Sequence, residues 1–231
     1  MYVEKKKEIK RSSVVVVVKK KFMYAHRGIY TSERDENTLR AFRAALERMD
    51  GFECDVRLSR DGVPVIVHDA SLLRTHGIHR RVRDMTADEL QKMQGPRVED
   101  VVCLLKDTSS TVVFDIKVSP FYCIHTILAL FPSAGVRPKL VFLVWAKVRA
   151  PLPPSCCTVL RAVGTTFRRH EHVDGIACKY DGTKKNIRCI EDCLRRGLHV
   201  NLFPSDPQHM LEAVDFFKRW APMCSVTLSI S

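Results

Sequence analysis

The chain has 231 residues, enough for one substantial core and too few for two ordinary enzyme domains. Its apolar and charged fractions, 45% and 28%, exclude the disordered and collagen-like classes. The formal charge of +12 is uneven: residues 1–21 hold eight Lys or Arg against two Glu, a net +6. That segment reads as a solvated basic arm, with a weak attraction for anionic membranes and a short extra strand at Val14–Val18.

The apolar stretch Val14–Val18 is too short for a spanning helix or the core of a signal peptide. The expectation is therefore a cytoplasmic protein, at most peripheral to membranes. Nine cysteines, an odd number with no C-x-x-C pair, read as reduced thiols packed as small hydrophobes. Cys189 and Cys193, with His170 and His172 nearby in sequence, outline a zinc site only faintly.

Short apolar runs alternate with helical patterns along residues 22–231, which predicts β/α units and a parallel sheet. A strand at 22–25 leads into a helix over 38–49, where Leu39, Phe42, Leu46 and Met49 form one apolar stripe. Gly51 is placed to end that helix. Strands at 51–58 and 63–68 follow, joined by the turn dipeptide Asp61-Gly62. Thr86 and Glu89 form a capping-box pattern for a helix to about 93, and 98–105 reads as another helix. A strand at 111–117 and a helix at 121–131 come next, then a strand at 140–145. Pro151, Pro153 and Pro154 make the following crossover short or irregular. Strands at 158–163, 173–180, 199–203 and 225–229 close the series, with helices at 185–196 and 206–220 between the later ones. Leaving out the arm at 63–68, eight strands begin near 22, 51, 111, 140, 158, 173, 199 and 225. Eight such strands close into a compact, single-domain TIM-type (β/α)8 barrel.

Charged residues interrupt three of these runs. Glu53 and Asp55 are two apart on a strand, so both point into the barrel mouth while Phe52, Cys54 and Val56 face the helices. Paired carboxylates of that kind call for a cation or a proton between them, and Mg²⁺ or Ca²⁺ suits oxygen ligands. Asp115 and Lys117 repeat the geometry, either as a third metal ligand with a phosphate-binding ammonium or as a structural ion pair. His26 and His68 each end an apolar run and read as an acid/base pair, and Arg27 offers a planar fork for phosphate oxygens.

In order, His26-Arg27-Gly28, Glu36-Asn37-Thr38, Ala41-Phe42, Glu53-x-Asp55-Val56, Asp61-Gly62-x-Pro64-Val65, His68-Asp69, Leu73-x-Thr75, Asp84-x-Thr86 and Glu89-Leu90 resemble the signature of the glycerophosphodiester phosphodiesterases. The close resemblance covers about residues 22–95 and a looser one reaches the C-terminus. It implies a TIM barrel with one divalent cation, Mg²⁺ or Ca²⁺, held by Glu53, Asp55 and Asp115. The family's third ligand is usually a Glu, so Asp115 is one methylene short. Little room is left for the capping insertion common in the family, and Asn201-Leu202-Phe203-Pro204 departs from its usual late strand. An open mouth would admit larger lipid head groups.

The implied chemistry is metal-dependent hydrolysis of glycerophosphodiesters to glycerol 3-phosphate and an alcohol. Arg27 and Lys117 would bind the phosphate, and His26 and His68 would exchange protons with the nucleophile and the leaving alcohol. The nucleophile is water or the neighbouring glycerol hydroxyl. Glu36 and Asn37 either orient Arg27 or cap the first helix, with Asn37 as N-cap. The substrate is a small phosphodiester or a lysophospholipid. Rival readings are a lipid-directed phospholipase D of lysophospholipid or sphingomyelinase D type, a non-catalytic binding module, and a nucleic-acid binder, the last without any recognition motif. The basic loop of His76, His79, Arg80, Arg81 and Arg83 lies near the mouth and would attract an anionic substrate.

Overall fold

The computed structural model describes residues 23–106, 108–131, 138–145, 157–163, 173–204, 206–220 and 224–230. The expected basic arm with its strand at Val14–Val18, the Pro151–Pro154 crossover, and His170 and His172 lie outside them. In chain order the elements are β1 (Met23–Ile29), α1 (Leu39–Arg48), β2 (Gly51–Leu58), β3 (Pro64–Ile66), α2 (Leu73–His76), a 3-10 turn (Val82–Asp84) and α3 (Ala87–Gln91). They continue with α4 (Val98–Leu105), β4 (Thr111–Ile116), α5 (Pro120–Leu130), β5 (Lys139–Val144), β6 (Cys157–Val163), β7 (Gly175–Tyr180), α6 (Lys184–Arg195), β8 (His199–Pro204), α7 (Pro207–Trp220) and β9 (Cys224–Ile230).

Eight of the nine strands form a closed parallel ring in the order β1-β9-β8-β7-β6-β5-β4-β2, shut by the pairing of β1 with β2. β3 stands outside the ring, antiparallel to the far end of β2. The turn between them has Gly62 at φ +77°, the conformation that the Asp-Gly pair predicts. This is the expected TIM-type barrel.

Alternation along the strands sorts side chains between two compartments. Phe52, Cys54 and Val56 of β2 pack outward with Phe114, Ile116 and Phe142 against Phe42 and Ala45 of α1, Val101 and Leu105 of α4, and Ile124 of α5. Phe42 stacks on Phe52 with ring centroids 4.2 Å apart. A matching outer layer joins Ile176, Val200, Leu202, Val226 and Leu228 to α6 and α7. The barrel interior is filled by Tyr24, Val113, Leu143, Leu160 and Ala177. Asn201, fully buried on β8, meets Ser225 and Thr227 of the neighbouring β9 through contacts of 3.0 and 3.1 Å. Asn201 thus adds a satisfied polar cluster to the barrel.

Two local readings are corrected. Gly51 does not end α1, which stops at Met49 with its N–H on the Ala45 carbonyl. Gly51 instead opens β2 against Thr111, where a Cβ would stand 1.7 Å from the Thr111 carbonyl oxygen. Asn37 is not the N-cap of α1 either. Thr38 is, its Oγ1 accepting from Ala41 N.

Candidate active site

β1 runs four residues past its expected end and carries His26, Arg27 and Gly28. Its pairing with β9 shifts register between Ala25 and Ile29, and Arg27 and Gly28 take φ of +57° and +84°. Such a bulge re-aims side chains at a barrel rim. Gly28 is required there, because a Cβ would lie 2.7 Å from Ala41. The strained Arg27 backbone is held by its own N–H, which donates to Glu53 Oε2 at 3.0 Å.

Glu53 and Asp55 of β2 and Asp115 of β4 meet at the mouth, all buried, with ligand oxygens within 4.8 Å of one another. Two oxygens bound to one Mg²⁺ or Ca²⁺ lie at most about 4–5 Å apart, twice a metal–oxygen bond, so the spacing suits such a cation. Burial and the neighbouring Asp55 and Asp115 push Glu53 well above the usual carboxylate range. Burial also raises Asp115, against the pull of Lys117. Burial opposes ionisation of Asp55 too, but Lys117 and Arg27 outweigh it and hold that carboxyl below its ordinary value. Asp55 Oδ1 is buried without a hydrogen bond. Lys117 Nζ lies 2.9 Å from it only as an ion pair out of hydrogen-bond alignment. Repelling carboxylates, one of them proton-seeking, and a buried oxygen without a hydrogen bond are features that a bound cation would relieve. The donor set therefore fits a divalent cation.

Lys117 Nζ also lies 2.6 Å from Asp115 Oδ2, so the predicted ion pair and the predicted metal ligand are the same residues. Arg27 places Nε 3.2 Å from Asp55 Oδ2 and donates from Nη1 to both oxygens of Glu36, at 3.0 and 3.2 Å. Glu36 thus orients Arg27. Asn37 braces Asp55, donating from Nδ2 to Oδ2 at 2.8 Å and accepting from the Asp55 N–H at 3.1 Å.

His26 and His68 face the same cavity of about 660 Å³, which Asp115, Lys117, Leu143, Trp145 and Phe203 also line. Burial and Arg27 push His26 down to about 4, and its Nδ1 lies 3.0 Å from Ser229 Oγ. The Nδ1 of His68 is 2.7 Å from Asp69 Oδ1. Asp69 in turn accepts from Arg74 Nε at 2.7 Å, and Arg74 reaches Glu36. Sequence reasoning did not assign roles to Asp69, Arg74, Trp145 or Ser229. Asp69 was legible from its place beside His68. Trp145, whose Nε1–H donates to Asp115 Oδ1 at 2.6 Å, and Ser229 come from strands far along the chain, and only the closed barrel brings them in.

Residues 26–134 match the glycerophosphoryl diester phosphodiesterase family. The matched segment belongs to that family. It contains Glu53, Asp55, Asp115, Lys117, Arg27 and both histidines. A probable glycerophosphodiester phosphodiesterase 1 of Mycobacterium tuberculosis is 47% identical over 74 residues, covering 32% of this chain and 27% of the relative. A glycerophosphodiester phosphodiesterase of Caldanaerobacter subterraneus is 31% identical over 136 residues, covering 53% and 51%. The chain thus spans from about a quarter to about half the length of these relatives. Among solved structures, a phosphodiesterase of Oleispira antarctica in complex with the product sn-glycerol-3-phosphate superposes with a TM-score of 0.71 at 19% identity, covering 90% of this chain and 92% of the other. That likeness shows the same barrel fold over 90% of the chain. Among the described residues, no helix is long and apolar enough to cross a membrane.

Proposed function

We propose that this chain hydrolyses glycerophosphodiesters to glycerol 3-phosphate and an alcohol, with a divalent cation, Mg²⁺ or Ca²⁺, held by Glu53, Asp55 and Asp115. The observation that carries the reading is the meeting of three buried carboxylates beside Lys117, Arg27 and two histidines in one cavity. When bound, the cation supplies Lewis-acid polarisation of the phosphate. Arg27, fixed by Glu36, presents its guanidinium to the phosphate, and Lys117 balances the charge that builds on the equatorial oxygens. Asn37 holds Asp55 in place and so acts as a positioning residue.

His26 is the base in this reading. Burial and Arg27 keep its imidazole neutral at neutral pH, so it can take a proton from water or from the neighbouring glycerol hydroxyl. His68 is the acid. With Nδ1 donating to Asp69, Nε2 is the atom left to protonate the departing alcohol. Supporting the metal and phosphate roles is the family membership of the segment that carries them.

The test is release of glycerol 3-phosphate from glycerophosphocholine with Mg²⁺ or Ca²⁺, then with excess EDTA. Release should stop with EDTA and in Glu53→Ala, and should fall by most of its rate in folded His26→Ala and His68→Ala. A nitrophenyl leaving group, which needs no acid, should rescue His68→Ala and leave His26→Ala slow. Full activity of either histidine variant on the natural substrate would sink these roles.

One observation favours a second reading, a phospholipase D acting on lysophospholipid or sphingomyelin. The cavity carries an apolar wall of Leu143, Trp145, Ala162, Phe203 and Pro204, more than a small polar head group uses. Product analysis on lysophosphatidylcholine and sphingomyelin separates the two. Choline released from these lipids, with glycerophosphocholine left intact, would favour the lipid-directed enzyme.

A further inference from the structure

The loop that follows His68 is rich in cations, and the structure sorts them by use. The His76 ring is occupied on both sides, by Thr75 Oγ1 at 2.8 Å and the Met93 carbonyl at 2.8 Å. Arg74 belongs to the Glu36 and Asp69 carboxylates. Arg80 donates to Glu89 Oε1 at 3.1 Å and to the Asp84 carbonyl at 3.3 Å. Of the loop's arginines, Arg81 and Arg83 remain. Both are exposed. Arg83 comes no nearer than 3.8 Å to Asp84, and Arg81 has no carboxylate partner among the described residues.

These two arginines share a cavity of about 240 Å³ with a third, Arg57, over a floor of Leu58, Val82 and Val118. Arg57 sits on β2 two residues beyond Asp55 and on the same face of the strand. It is half-buried, and its Nε donates to the His68 carbonyl at 2.8 Å. No carboxylate among the described residues forms an ion pair with it. A half-buried cation without an anion in contact is uncommon, because partial desolvation is normally offset by a partner. The position of the cavity is also specific. Its lining residues Arg57, Ala70 and Val118 follow Asp55, His68 and Lys117 by two, two and one residues. Steps of one or two residues span about 3–7 Å of extended chain, so the cavity abuts the mouth.

We propose that Arg57, Arg81 and Arg83 form a second anion site on the barrel rim, which takes a phosphate group distinct from the scissile one. Three arginines lining one small cavity with an apolar floor match the tetrahedral, multiply charged oxygens of a phosphate monoester. Each planar fork offers paired donors. The phosphate has two sources: a second phosphate on the alcohol half of the substrate, or the headgroup of an anionic lipid. The substrate source rests on the phosphodiesterase reading above, whereas the anion site does not.

The deciding probe is inorganic phosphate, titrated into the full chain at constant ionic strength and followed through the arginine side-chain Nε–H resonances by NMR. In the wild type the Arg57, Arg81 and Arg83 signals should move together and saturate. In the double variant Arg81→Ser, Arg83→Ser the apparent affinity read at Arg57 should fall about tenfold or more, the effect expected on losing two charge-assisted donors. Lys117→Ala should leave the titration intact. A response that never saturates, an equal response to chloride, or an unchanged affinity in the double variant overturns the site.

Two further arms identify the source. If the occupant is on the substrate, the double variant loses about tenfold in kcat/KM on a glycerophosphodiester whose alcohol carries a phosphomonoester. It keeps its rate on one with a neutral alcohol. If the occupant is a lipid, the double variant loses co-sedimentation with phosphatidylcholine vesicles containing phosphatidic acid. Absence of any hydrolysis would remove the catalytic reading while leaving the phosphate titration to decide the site.

Discussion

His68, which follows β3, and Arg27 on β1 are joined by a chain of alternating charge. It runs from the His68 ring to Asp69, to Arg74, to Glu36, to Arg27 and so to Asp55. None of Asp69, Arg74 or Glu36 needs to touch a phosphate for the arrangement to matter. Asp69 Oδ1, 2.7 Å from His68 Nδ1, favours a proton on that nitrogen, and Asn in its place would keep the shape while offering a donor to the same ring. We expect Asp69→Asn to lose about ten- to hundredfold in kcat, the range for partners that orient a functional side chain, with KM and melting temperature near wild type. A loss confined to KM would instead place Asp69 in substrate binding. At this scale the residues that gather at the cavity were legible in the sequence because carboxylates and histidines at strand ends have few structural uses. Asn37 was misread because its neighbour Thr38 supplies an equally good cap, and the choice between them is made by Asp55, a contact between residues 18 apart.

Among the elements, α1 and β2 emerged nearly as read, for a physical reason. The apolar stripe of α1 and the two-residue alternation of β2 are local patterns, and Phe42 on Phe52 is the contact those patterns require. The four-residue α2 has no buried residue to advertise it and was not legible. The role of Gly51 was not legible either, since nothing near it in sequence reveals the approach of Thr111. That approach sets a test. Gly51→Ala should destabilise the fold by about 3 kcal/mol, because a Cβ drives into backbone that cannot move without opening the β2–β4 ladder. Gly77→Ala should cost only about 1 kcal/mol, the strain of its left-handed backbone in open space. Equal effects in thermal or chemical denaturation would show that the strands separate more easily than the pairing implies.

For the whole molecule, the interior of the ring sets the response to alkali. Tyr24 is buried in the barrel, and burial pushes its phenol up to about 12, against the opposing hydrogen bonds of Thr111 and Ser225. In the unfolded chain the phenol titrates near 10. The stabilisation is therefore complete below about pH 10 and is lost as pH rises toward 12, a change of about 2–3 kcal/mol. Tyr24→Phe should lose less stability than the wild type between those pH values, as read from denaturant midpoints. A parallel loss in both proteins would move the effect to other groups.

The ring also carries a timetable. β1, the first described strand, needs β9, the last, as its neighbour, and His26 finds Ser229 only when that neighbour is present. On a ribosome adding about 5–20 residues per second, roughly 10–40 s separate the two strands. Over roughly the second half of that interval residues 26–134, which carry every group assigned to the reaction, have already been made. One edge of β1 meanwhile stays unpaired and open to neighbouring chains. Nascent chains of this protein therefore present the side chains proposed for the reaction before the wall that completes the cavity exists, and a chaperone that covers the β1 edge would act in that window.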